Sequence, residues 1–125
     1  MRYLLDTDIV IWASLNSPSL PKLAAQLLQD PTAELYISSA VIWEASIKGS
    51  AKMGISAEML NKSAKMAGYK ILNINADHAI RVQTLPTHYC DPFDRIMLAQ
   101  ALCEGMQLVT ADGKLALYGT GIYAV

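Results

Sequence analysis

The sequence predicts an α/β fold: a central parallel sheet of about five strands between two layers of helices. Three observations carry that expectation. Short apolar runs at Tyr3-Leu4-Leu5, Leu35-Tyr36-Ile37, Lys70-Ile71-Leu72, Gln107-Leu108-Val109-Thr110 and Ile122-Tyr123-Ala124-Val125 alternate with stretches of helical period. Hydrophobic residues make up 53% of the chain and charged residues 17%. That suits a sheet covered on both faces, or some apolar surface shared with a partner. No repeat, low-complexity segment or linker interrupts the 125 residues, so residues 1–125 read as one domain.

The elements follow in order. After Tyr3-Leu5, Thr7 or Asp8 is placed to cap a helix running to about Leu15. Asn16-Ser17-Pro18 is a turn, and Pro21 suits the first turn of a second helix with Leu23, Leu27 and Leu28 on one face. Asp30-Pro31 ends it. Ser38-Ser39 follows the second strand and caps a third helix carrying Val41, Glu44, Ala45, Ile47 and Lys48, with Gly49 and Gly54 at its fraying end. Ser56 caps a fourth helix, with Met59, Leu60, Ala64 and Met66 inward, stopping near Gly68. Asn75 caps a helix to about Leu85, where Pro86 stops it. Asp91-Pro92 opens a helix through about Glu104, and Gly105 is its C-terminal cap. Asp112-Gly113 turns the chain after the fourth strand.

The totals exclude several classes. Net charge is −1 and pI about 6.0, without the basic footprint of an ordinary nucleic-acid binder. A nucleic-acid substrate would need bound cations to bring it in. Cys90 and Cys103 form no metal-spaced pair and read as reduced thiols. His78 and His88 are the only histidines, too few for a histidine-built zinc site. Asp6 and Asp8 interrupt any signal-peptide core, and no apolar run approaches about 18 residues. The expectation is a soluble cytoplasmic protein with no membrane contact.

The candidate chemistry lies in the acids. Asp6 directly continues the first strand, where Asp has low propensity. The carboxyl end of a parallel strand is where open α/β sheets place their ligands. Asp8 is better suited to capping, with support to the site as its other role. Glu44 has Ala40, Val41, Ile47 and Lys48 at helical spacing, which turns its carboxylate inward. The alternative is a surface pair with Lys48, worth only about 0.3–0.5 kcal/mol. Asp91 fits the helix N-cap, and Asp94 falls at the third helical position, where the helix dipole also favours an acid. Met97, Leu98 and Ala101 continue the Asp94 face into an apolar helix, which favours a functional role for Asp94 and a capping role for Asp91. Arg95 reads as structural or phosphate-neighbouring. Asp112 lies just past Thr110 at a strand's carboxyl end, although Asp-Gly is also a common turn. Three or four carboxylates together repel one another and need a cation. Oxygen-only ligands suit Mg²⁺ or Mn²⁺. Two such ions about 3.5–4 Å apart can activate water and stabilise the leaving oxygen of a phosphodiester.

Four stretches together resemble the PIN-domain proteins, and among them the VapC-type toxins of toxin–antitoxin pairs. They are Leu4-Leu5-Asp6-Thr7-Asp8, Ser38-Ser39-Ala40-Val41-Ile42-Trp43-Glu44, the run from His88 to Ala101 containing Asp91-Pro92-Phe93-Asp94-Arg95, and Leu108-Val109-Thr110-Ala111-Asp112. The resemblance covers essentially the whole chain in the right order. It implies a PIN-like three-layer α/β/α sandwich and a metal-dependent endoribonuclease leaving 5′-phosphate and 3′-hydroxyl ends. Asp6, Glu44, Asp94 and Asp112 would be its acidic quartet and Thr110 a supporting hydroxyl. It also implies a homodimer and a cognate antitoxin whose tail occupies a groove leading to the site. Met53, Met59 and Met66 suit such a partner, or fill the core. Trp12 and Trp43 read as core or dimer-interface residues. Tyr89 and Cys90 depart from the family pattern, where relatives often carry His and a basic residue.

Two other readings compete. Asp6-Thr7-Asp8-Ile9-Val10 also fits the opening of haloacid-dehalogenase-like phosphatases, with Asp6 as nucleophile. That family needs a late pair of neighbouring acids, which Asp112 does not have. A phosphorelay receiver would want an acid ending the third strand, where Ile71-Leu72-Asn73-Ile74-Asn75 has none.

Overall fold

The computed structural model describes residues 1–87 and 91–125. Five strands form one all-parallel sheet: β1 (Arg2–Leu5), β2 (Glu34–Ser38), β3 (Lys70–Leu72), β4 (Gln107–Thr110) and β5 (Ile122–Ala124), in the order β3-β2-β1-β4-β5. The helices are α1 (Thr7–Ser14), α2 (Lys22–Leu28), α3 (Ser39–Lys48), α4 (Ser50–Met53), α5 (Ala57–Met66), α6 (Ala76–Val82), α7 (Pro92–Glu104) and α8 (Gly113–Ala116). The result is the expected α/β/α sandwich. A receiver's order would be 2-1-3-4-5, so the strand order removes that alternative.

The sheet buries both faces. Leu4, Leu5, Ile37, Leu108 and Val109 are fully buried, so each central strand reads as a continuous apolar run. Leu5 pairs with Ile37 on one side and with Val109 on the other. The chain winds from β1 out to β3, then returns across the sheet to β4. The strand order therefore reverses between β1 and β4, the point where such sheets open a ligand crevice.

Helix α7 runs through the interior, with Met97 to Ala101 all buried. It begins with the expected cap: Asp91 Oδ1 accepts from the N–H groups of Phe93 (2.8 Å) and Asp94 (3.2 Å), with Pro92 at the first position. It ends on Gly105, whose φ of 68° is left-handed. Arg95, on the second turn, is structural. Its guanidinium donates to the carbonyls of Pro86 (2.9 Å), Val82 (3.1 Å) and Leu85 (3.4 Å) and to the Tyr118 hydroxyl (3.0 Å). It ties the segment after α6 and the end of α8 to α7.

Several expectations are corrected. The cap of α1 is Asp6, not Thr7 or Asp8. Leu23 is exposed, and α2 buries Ala24 and Leu27 instead. Met59 and Met66 face outward, while α5 buries Leu60 and Ala64. An apolar residue beside a narrow buried stripe satisfies the helical period without reaching the core. Trp43 is 55% exposed and so not a core residue, whereas Trp12 packs against the core. The chain between Gly49 and Gly54 forms α4 rather than fraying, and Asp112-Gly113 opens the short helix α8. Helix α6 ends at Val82, before Leu85. The expectations for His88, Tyr89 and Cys90 lie outside the described residues.

Replacing Arg95 with Ala is expected to lower stability by roughly 1.5–3 kcal/mol, because charge-assisted hydrogen bonds to three carbonyls are lost together. A urea denaturation midpoint close to that of the unchanged protein would contradict this role.

Candidate active site

The site is built at the β1–β4 switch point. The Asp6 N–H still donates to Val109 O (3.0 Å), so the residue continues the sheet. Its side chain then caps α1: Oδ1 accepts from Thr7 N–H at 2.8 Å. Oδ2 accepts from the Thr110 hydroxyl at 2.7 Å, across from the end of β1 to the end of β4. Thr110 Oγ1 in turn accepts from Asp112 N–H at 3.0 Å, and Asp112 caps α8 through Lys114 N–H at 2.8 Å. Each acid here is a helix cap as well as a candidate ligand. The two roles, weighed as alternatives in the sequence, can coexist because a carboxylate oxygen that accepts one hydrogen bond keeps a second lone pair.

Glu44 enters from α3 and is 6% exposed. Ala40, Val41 and Ala45 bury the same side of the helix, while Ile47 faces solvent. Thr7 Oγ1 donates to Glu44 Oε1 at 2.8 Å, and Lys48 Nζ pairs with Oε2. Glu44 is therefore turned inward, as expected, and it pairs with Lys48 there rather than at the surface. Asp94 enters from the first turn of α7, and Asp8 from the first turn of α1.

These side chains meet. Asp6, Asp8, Glu44, Asp91, Asp94 and Asp112 line one pocket of about 170 Å³, together with Thr7, Lys48 and Met53. Thr110 lies behind it, buried and bonded to Asp6. Every candidate residue from the sequence is thus in or against one pocket. Two contributors enter in other roles than the sequence gives them: Thr7, a candidate cap there, is a hydroxyl donor to Glu44, and Lys48, a surface partner there, lines the pocket.

The pocket is electrostatically overloaded. Burial pushes Asp6 up to about 6, with the charges of Asp8 and Asp112 adding to it and bonds from Thr110 and Thr7 opposing it. Burial pushes Asp94 up to about 8, reinforced by Asp6, Asp91, Glu44 and Asp112. Burial and then Glu44 raise Asp8 as well. In the other direction, the Glu44 hydrogen bond holds Lys48 above the usual lysine range. The donor set is all oxygen and the unbalanced charge is negative, which fits a hard divalent cation. Among the described residues no three acids converge on one point as they stand, so carboxylate rotation would accompany binding.

A larger cleft of about 860 Å³ lies between the end of α1, the α4–α5 connection and α5, with Leu15, Ile55, Met59 and Met66 among its walls. Among the described residues no carboxylate lines it.

Comparison with known proteins places the fold in a family. Residues 3–120 match the PIN domain family model. The chain belongs to the PIN-domain family. No curated protein matches the sequence. Among solved structures, the chain is similar to VapBC2 from Rickettsia felis bound to a promoter DNA fragment, at 19% identity and a TM-score of 0.71, covering 100% of this chain and 98% of that one. It is similar to a toxin–antitoxin complex from Klebsiella pneumoniae at 24% identity and a TM-score of 0.68, covering 98% and 99%. It also resembles VapBC-1 from nontypeable Haemophilus influenzae at 23% identity and a TM-score of 0.67, covering 100% and 97%. These likenesses establish the shared fold. Membership of the PIN family also displaces the phosphatase reading.

The raised carboxylates set a pH dependence of stability for the metal-free PIN domain. Asp6 and Asp94 hold their protons more tightly folded than unfolded, where the ordinary value is 3.8. The stability they contribute is complete below about pH 4 and is lost as pH rises through about 6 and then about 8. In EDTA, the urea midpoint is expected to fall between pH 4 and 8, and Asp94→Asn is expected to flatten that fall. An equal slope in the variant would show that Asp94 does not carry the raised proton.

Proposed function

We propose that this PIN-domain chain is a divalent-cation-dependent endoribonuclease acting as the toxin of a toxin–antitoxin pair. Asp6, Glu44, Asp94 and Asp112 hold the cation, with Asp8, Asp91 and Thr110 in support. The observation that carries the reading is the meeting of these acids, from four distant parts of the chain, in one small pocket of a PIN fold. Mg²⁺ or Mn²⁺, when bound there, would activate a water for attack on an RNA phosphodiester and offset the negative charge that RNA meets.

The chain's own residues do the positioning. Thr110 and the start of α1 fix the Asp6 carboxylate, and Thr7 fixes Glu44. Asp94, on the first turn of α7, would hold the cation as a carboxylate, so its proton would have to leave on binding. Asp91 holds that turn in place.

A cognate antitoxin is supported by the fold's likeness to structures of toxin–antitoxin complexes. The outward Leu15, Met59 and Met66 of the larger cleft suit a helical partner segment. A homodimer belongs to the same reading, with exposed Trp43, Ile47, Ile80 and Leu117 available to a second copy.

The test is cleavage of an end-labelled RNA pool by the purified chain, free of any antitoxin, in Mg²⁺, Mn²⁺ or EDTA. Cutting should require the metal and fall at least about a hundredfold in Asp6→Asn and Asp94→Asn, each of which removes a ligand charge at nearly constant volume. Asp91→Asn should lose far less, since Asn also caps helices well. Metal-independent cutting, or full activity in Asp6→Asn, would sink the reading. Equal losses in Asp91→Asn and Asp94→Asn would overturn the division of roles between them.

A further inference from the structure

The acidic pocket carries a cation of its own. Among the described residues, Lys48 is the one basic side chain lining it. It lies one helical turn beyond Glu44 on α3, and its ammonium binds Glu44 Oε2. The same ammonium stands 5.9 Å from the centre of the Phe93 ring, within cation–π range. Phe93 is braced edge-on by Trp43, with ring centroids 5.1 Å apart. The lysine is therefore held from two sides, by a buried carboxylate and by an aromatic face.

An ordinary i,i+4 pair on a helix surface is weak because water competes for both partners. Here the carboxylate is almost wholly removed from water and its second oxygen is taken by Thr7. Both oxygens of Glu44 are thus engaged, one of them by a full positive charge. A divalent ion that takes Oε2 must displace that ammonium or share the oxygen with it, and one that takes Oε1 meets the ammonium's charge across the same carboxylate.

We propose that Lys48 is a tethered counter-cation that competes with the divalent ion for Glu44 and so sets the metal concentration at which the site assembles. The inference rests on the reading of the pocket as a cation-dependent nuclease site. It adds a threshold to that site: at low divalent-ion levels Glu44 stays with Lys48 and the ligand set is incomplete. Lys48 acts through Glu44 and is a positioning residue.

The test is calorimetric titration of the full chain with Mn²⁺, with no RNA present. Lys48→Met keeps an unbranched stem against Phe93 and removes the charge. It should tighten the Mn²⁺ dissociation constant by about threefold to fivefold, the upper part of the range measured for ion pairs open to solvent. In a Glu44→Gln background, where the lysine has no carboxylate to hold, the same change should alter it by less than about twofold. Mn²⁺ should also raise the melting temperature more in Lys48→Met than in the unchanged protein. Unchanged or weaker Mn²⁺ binding in Lys48→Met overturns the inference, as does an equal gain in both backgrounds, which would reflect only the general field of a nearby charge. If the unchanged chain takes up no Mn²⁺ at all, the nuclease reading falls and the inference with it. Binding by the unchanged chain without the Lys48 effect overturns the inference alone.

Discussion

The bond between the Thr110 hydroxyl and Asp6 Oδ2 joins the carboxyl ends of two adjacent parallel strands, and the rest of the site is arranged around it. Two strands that pair in register, Leu5 beside Val109, bring their following residues to the same edge. The winding of the sheet places that edge at the point where the strand order reverses, so helices diverge from it and leave a crevice. Asp112 comes to the crevice because it is two residues beyond Thr110, and its backbone is held by the same hydroxyl. A single threonine thus couples two acids that are more than a hundred residues apart in sequence.

What the fold gains in position it loses in electrostatic comfort. Six carboxylates share a pocket with a single lysine among the described residues, and burial removes the water that would screen Asp6 and Glu44. The molecule offsets this in three local ways. Asp6, Asp91 and Asp112 each accept backbone N–H groups at helix starts, where the dipole favours negative charge. Thr7 and Thr110 supply hydroxyl donors. Asp94 and Asp6 keep protons to higher pH than isolated carboxyls do. The third device is the one a bound divalent cation would replace, so cation binding there would be linked to stability through the same side chains. The scaffold that tolerates this charge is unusually apolar: strands buried on both faces, and α7 with five consecutive buried residues.

The legibility of individual residues followed from how local their causes are. Asp91-Pro92 was readable as a helix start because an N-cap and a first-position proline act within four residues. Glu44 was harder, since inward orientation and pairing with Lys48 were framed as rivals, and only the packing of α3 shows that one carboxylate does both. Period alone puts Met59 and Met66 inward and Leu23 on one face with Leu27, yet all but Leu27 are exposed. Their helices bury narrower stripes, and period cannot report stripe width. Asp6 was given to the site and denied the cap, because Thr7 and Asp8 stand nearer the helix. The backbone at Asp6 is extended and its oxygen reaches Thr7 N–H, a geometry that only the strand-to-helix turn creates.

By itself, the sequence determined the alternation of strands and helices, the parallel sheet, and the set of acids at strand ends and helix starts. Those features depend on residue type, spacing and short-range hydrogen bonding, all of which are written along the chain. The tertiary structure alone decided the strand order, and with it that Asp6 and Thr110 are neighbours. It also decided which apolar helix residues meet the core, and that Thr7 and Lys48 take the two oxygens of Glu44. These depend on which elements pack side by side, a balance of contacts between distant residues that no local window contains.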